Sequence, residues 1–198
     1  MKDYAYLIEA LLDVYAITFD TKYLYKAQEL TDFVVENFWD ATDNLFYFTS
    51  KNQTDILLRK KDLYDSAMPS GNSTMAKNLG RLSMIFDNSN YKKTHFEMLA
   101  TVVDSIKMYP SSFSKWASTV VSVVHPPFEI AVLGNNFMDK ALEINALFVP
   151  NNILMASEKQ DAKLPLLDRD TEGGIFLCQN YTCKLPVKTV RELVKMLR

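Results

Sequence analysis

Residues 70–91 read SGNSTMAKNLGRLSMIFDNSNY, and residues 3–23 read DYAYLIEALLDVYAITFDTKY. Laid over each other at an offset of 67, Leu12 falls on Leu79, Phe19 on Phe86 and Asp20 on Asp87. Past one inserted residue, Tyr23 falls on Tyr91 and Leu30 on Met98. Each stretch carries apolar residues every three or four positions, then a short polar link, then a second such run, at 22–39 and 91–108. That period puts the apolar side chains on one face of an α-helix, so each stretch predicts a helical hairpin. A third start stands at YPSSFSKW (109–116), where Pro110-Ser111 echoes Pro69-Ser70 before a helix to about Val124. Hairpins repeating at this period indicate an α/α array, a solenoid or toroid.

The helix starts are where polar chemistry gathers. YDSAMPSGNS (64–73) places Ser70 as an N-cap, Pro69 as a fixed entry and Gly71 as a point of close approach. At the repeat offset Asp3 takes the place of Ser70 and is expected to cap the first helix. If the inner helices start near residues 4, 71 and 112, their leading loops share one rim. Asp3, Tyr4, Tyr64, Asp65, Ser70 and Asn72 then converge on one mouth, where helix dipoles favour anionic or hydroxyl-rich ligands. The plainer alternative is that Asp65 caps or pairs locally.

Between the first two hairpins, NLFYFTSKNQTDILLRKKD (44–62) alternates aromatic and β-branched residues around a polar turn and predicts a β-hairpin insertion. After His125-Pro126 the pattern changes. PPFEIAVLG (126–134), NILMAS (152–157) and GGIFLCQNYTC (173–183) predict strands, with helices at about 137–147 and 188–197. The fold class expected is therefore mainly α. A partial (α/α) toroid of helical hairpins occupies 1–125, and a small α/β layer occupies 126–198.

Composition narrows the function classes. With 24 acidic and 22 basic side chains in 198 residues the formal charge is −2, which offers no electrostatic case for nucleic acid or a membrane surface. Met1-Lys2-Asp3-Tyr4 leads straight into helical phase with no apolar signal region, so a cytoplasmic location and a piece of a longer chain are the expectations. His95 lies within a helix and His125 at a helix end, away from the rim; both read as structural. No HExxH, CxxC, Walker or GxGxxG pattern occurs, so neither metal nor cofactor is expected. Cys178 and Cys183 are the only cysteines and are expected to be buried, reduced thiols, with Asn180 opening the turn between them. Trp39 and Trp116 read as core, with Trp39 alternatively a stacking platform for a sugar.

DYAYLIEALLDVY, YDSAMPSGNS, PPFEIAVLG and FLCQNYTCKLPV, in this order and spacing, resemble the end of the YyaL-like proteins, a family related to spermatogenesis-associated protein 20 of animals. The resemblance runs over essentially the whole chain. It is carried by Asp3, Tyr4, Tyr64, Asp65, Pro69, Ser70, Gly71, Asn72, Cys178, Asn180 and Cys183. It implies an (α/α)6 toroid of the six-hairpin glycosidase kind, similar to N-acylglucosamine 2-epimerases and preceded by a thioredoxin-like domain. This chain corresponds to about the last third of such a protein. It has no rim histidine for epimerase chemistry, and no redox role passes to its cysteines.

The function expected is carbohydrate binding or processing at the inner-helix rim. Asp65 and Asp3 are the candidate acid/base pair, and Tyr4, Tyr64, Ser70 and Asn72 position a sugar's hydroxyls. The alternative is a non-catalytic helical scaffold that binds a protein or the missing N-terminal half; self-association of the chain is expected as well. An incomplete ring is expected to leave apolar faces exposed.

Overall fold

A computed structural model of the chain describes residues 1–169, 173–179 and 182–197. About half of the chain is helical, with a small mixed sheet, and the described elements form no closed barrel. Helices α1 (Lys2–Thr18) and α2 (Lys22–Phe38) make the first hairpin, and α3 (Gly71–Ile85) and α4 (Ser89–Met108) the second. A 3-10 turn at Pro110–Phe113 leads into α5 (Ser114–Val124).

The sequence repeat returns as a repeat of buried positions. Ile8 and Met75, Leu12 and Leu79, and Tyr15 and Leu82 are paired at the same offset, and all six are buried. α1 and α3 run parallel, because contacts advance along both in the same sense. Tyr6 Oη donates to the Pro69 carbonyl (2.6 Å), Lys77 Nζ meets Glu9 Oε1 (2.9 Å), and Arg81 reaches Asp13 (2.8 Å). Gly71 makes this approach possible: a Cβ there would lie 2.9 Å from Met1 Cε and 3.1 Å from Lys2 Cα. α4 joins α2 through the Tyr91 hydroxyl, which donates to Asp32 Oδ1. Both hairpin links turn through a non-glycine residue at positive φ, Phe19 (54°) and Asp87 (49°).

Two local expectations are corrected. Asp3 is not the cap of α1. It lies exposed within the first turn, one residue after the helix begins at Lys2. The insertion is not a β-hairpin over 44–62. The strand pair is β1 (Trp39–Asp40) with β2 (Leu45–Phe46), antiparallel around a turn with Asn44 at φ 55°. Beyond it the chain is irregular, with one cross-link from the Phe48 amide to the Lys60 carbonyl (2.7 Å). Side chains hold this loop. Lys61 pairs with Asp40 and Asp43, each at 2.5 Å, and the Arg59 guanidinium lies 3.9 Å from the Tyr47 ring centroid. Apolar alternation alone was too short to sustain a ladder where lysine and arginine could satisfy the chain instead.

The C-terminal part holds β3 (Phe128–Leu133), α6 (Phe137–Asn145), β4 (Asn152–Ser157), β5 (Gly174–Gln179), β6 (Thr182–Cys183) and α7 (Val190–Met196). The sheet order is β4-β3-β5-β6. β3 and β4 are parallel, joined through α6 as a parallel pair requires, and the other pairings are antiparallel. Residues 129–133, 153–156 and 174–178 are buried, which fits their near-continuous apolar runs. Thr189 and Glu192 close a capping box at the start of α7.

The chain groups into two compact units. One comprises Met1–Asp13, Asp20–Met84 and Asn88–Val121; the other comprises Val14–Phe19, Ile85–Asp87 and the chain from Ser122 onward. Among the described residues, no helix is long and apolar enough to cross a membrane.

Candidate functional site

Asp65 is the centre of the predicted rim, and it is buried at 6% exposure. Its Oδ1 accepts from the Ser70 amide (2.8 Å) and the Ser73 hydroxyl (2.6 Å). Its Oδ2 accepts from the Lys115 amide (2.8 Å) at the start of α5. The Asp65 amide in turn donates to the Ser112 carbonyl (2.8 Å). One carboxylate thus ties the start of α3 to the start of α5. Both helix ends carry unsatisfied N–H groups, and an acidic acceptor answers them.

Ser70 caps α3, its Oγ accepting from the Ser73 amide (3.0 Å), as the sequence predicts. Asn72 is fully buried. Its Oδ1 accepts from the Phe46 amide (2.7 Å), and its Nδ2 donates to the Phe46 and Asp62 carbonyls (each 2.9 Å). The side-chain amide therefore stands in for a strand neighbour of β2. Tyr64 is the opposite case, 63% exposed with its ring edge-on to Phe113 at 5.3 Å. Tyr4 is half-buried against Phe33 (5.3 Å) and Phe38 (5.9 Å) on α2. The structure brings Asp65, Ser70 and Asn72 together around one helix start, while Asp3 and Tyr4 belong to the first turn of α1.

Next to this cluster lies a charged group that the sequence reading missed. Glu9 Oε1 accepts from both Lys77 Nζ (2.9 Å) and Lys115 Nζ (2.7 Å), joining α1, α3 and α5. Burial raises the Glu9 pKa, but the two lysine hydrogen bonds outweigh it and leave the carboxyl below its ordinary value. A signal was present: Glu9 and Asp13 stand one turn apart on α1, as Lys77 and Arg81 do on α3. Tyr6 is held nearby, its phenol pushed up first by partial burial and then by Asp62, Glu9 and Asp65.

The histidines and tryptophans lie elsewhere. His95 is buried, with Nδ1 2.7 Å from the Ala76 carbonyl, and burial lowers its pKa against the smaller opposing effect of that bond. His125 is exposed. Trp116 is fully buried, its indole donating to the Leu63 carbonyl (3.0 Å), and Trp39 packs edge-on to Phe46 at 4.9 Å. Among the described residues, no three His, Cys, Asp or Glu side chains gather closely enough to hold a metal ion.

The reduced thiols expected at Cys178 and Cys183 are corrected: the two form a disulfide. They are register partners on β5 and β6, so hairpin pairing brings the two side chains together, with Cα atoms 3.9 Å apart and therefore closer than the usual disulfide spacing of about 4.4–6.8 Å. Asn180, expected to open the turn, lies outside the described residues.

No family model matches the sequence. An uncharacterised protein of Caenorhabditis elegans is 28% identical over 207 residues, covering 98% of this chain and 28% of its own length. Spermatogenesis-associated protein 20 of rat is 26% identical over 212 residues, covering all of this chain and 27% of its own length. The human protein of the same name is 25% identical over the same span. The chain thus spans just over a quarter of the length of the curated relatives it matches.

Proposed function

We propose that this chain is a helical-hairpin segment of an α/α toroid, and that it acts as a docking scaffold for further helices of a longer protein. The carrying observation is a seam on α1. Leu7 (49%), Val14 (38%) and Ile17 (66%) are exposed, with Ala10 exposed between them. The spacing of three, four and three is that of a coiled-coil seam, which stabilises a helix only when another helix covers it. The length of the relatives supplies a source for that partner. The candidate carboxylates favour the same reading, because Asp65 is already occupied by three donors. A cytoplasmic setting belongs to this reading. The expected result is self-association of the isolated chain with binding of an apolar dye, both abolished by Leu7→Glu with Ile17→Lys at unchanged melting temperature. A dye-negative monomer in sedimentation would sink it.

The exposed Tyr64 ring supports a second reading, carbohydrate binding at the rim. In it Tyr64 stacks on a sugar face, Tyr4, Ser70 and Asn72 address hydroxyls, and Asp65 with Asp3 supplies the acid/base pair. This requires Asp65, Ser70 and Asn72 each to give up a buried hydrogen bond when ligand binds. The test is a thermal-shift screen of sugars with Tyr64→Ala as control, since that ring is exposed and its loss spares the helix starts. A shift lost in Tyr64→Ala supports sugar binding; no shift with any sugar removes it.

A further inference from the structure

The disulfide at Cys178–Cys183 is asymmetric in its surroundings. Cys178 lies on an interior strand and is 2% exposed, whereas Cys183 is half-buried on β6, the two-residue strand at the sheet edge. A thiol arriving from solvent therefore meets the Cys183 sulfur first. On the other side, Arg169 Nη2 lies 3.5 Å from Cys178 Sγ. Its guanidinium is held in place by a bond from Nε to the Leu166 carbonyl (3.1 Å) and by the Phe176 ring, 5.2 Å from Cζ to the centroid. Glu129 on β3 is the register partner of Cys178 and shares its sheet face, so an ionised carboxyl there would oppose the thiolate that Arg169 favours.

We propose that this bond is a directional thiol–disulfide exchange site that accepts small thiols at Cys183 and expels Cys178 as a thiolate beside Arg169. In the first step a thiolate attacks Cys183 Sγ along the S–S axis. A new S–S bond forms between the incoming sulfur and Cys183, the old bond breaks, and its electron pair leaves on Cys178 Sγ. A second thiolate then attacks the mixed disulfide and releases Cys183. The protein gains two electrons and, on protonation, two protons, and the attacking thiols end as their own disulfide. Exchange is faster when the leaving thiolate is stabilised, and a neighbouring cation provides that. Just past β6, the Lys184 amide stays tied to the Leu177 carbonyl (3.0 Å) when the bond opens.

The experiment incubates the purified folded chain with limiting glutathione, quenches with iodoacetamide and locates each modification by fragment mass spectra. The expected product carries glutathione on Cys183 and the alkyl group on Cys178, in about tenfold excess over the reverse isomer. Equal isomers, the reverse isomer in excess, or opening only in denaturant overturn the proposal. In a second arm, Arg169→Gln slows opening about fivefold and Arg169→Lys restores most of the rate. An unchanged rate in folded Arg169→Gln overturns the role of the guanidinium. If that variant does not fold, the isomer ratio in the unmodified sequence decides.

Discussion

Asp65→Asn, the substitution a search for an acid or base would make first, is predicted to loosen two helix starts. An amide can accept at one oxygen only and presents its NH2 to a backbone N–H, leaving a buried donor unpaired. The expected loss is about 2 kcal/mol by urea denaturation. Asn72→Ala removes three hydrogen bonds to main chain, two of them buried, and is expected to cost about 3 kcal/mol, again by denaturant midpoint. Loss of a ligand response in Asp65→Asn would thus report folding as much as binding, which is why Tyr64 is the better control. His95 gives a pH-dependent counterpart. Its folded pKa lies below 6.5, so the unfolded chain binds the proton more readily. Stability is complete above pH 6.5 and falls as pH drops from there towards the lowered folded value. Thermal melts are expected to shift down between neutral pH and about pH 5, with the slope flattened in His95→Gln. Gly80 belongs to the same contact. A Cβ there would lie 2.9 Å from His95 Cε1, so this mid-helix glycine makes room for a ring.

Between helices, the Glu9 group sets a different pH window. The Glu9 pKa is depressed, so its contribution is present above the ordinary value of 4.5 and is lost as pH falls through the folded value. Glu9→Gln is expected to cost about 1–2 kcal/mol at neutral pH and nothing in strong acid, compared by urea midpoints at the two conditions. This group also marks the limit of legibility. The helical hairpins, the Ser70 cap and the strands of the C-terminal sheet were readable because each rests on local period or capping chemistry. Asp65 was readable as important, but not as to why, since its third donor comes from Lys115, fifty residues away in sequence. The strand pair before the loop was misplaced because lysine and arginine side chains, not alternation, organise residues 47–62. The thiols expected from burial form a disulfide instead because the register of β5 and β6 sets Cys178 opposite Cys183.

The division of the chain makes a prediction about the whole molecule. Val14–Phe19 and Ile85–Asp87 belong to the unit that contains the sheet. They bring Tyr15, Phe19 and Ile85, all buried. A fragment from Ser122 onward lacks those side chains and is expected to show no cooperative melt by circular dichroism, whereas the full chain does. A sharp transition in the fragment would show that the sheet and its helices suffice.

The single oxygen shared by Lys77 and Lys115 also has a mechanical meaning. Three rods tied at one pin share its fate: sliding α3 or α5 by a helical turn, about 5.4 Å, breaks that helix's tie to α1, and sliding α1 breaks both. α1, α3 and α5 are therefore constrained as a tripod.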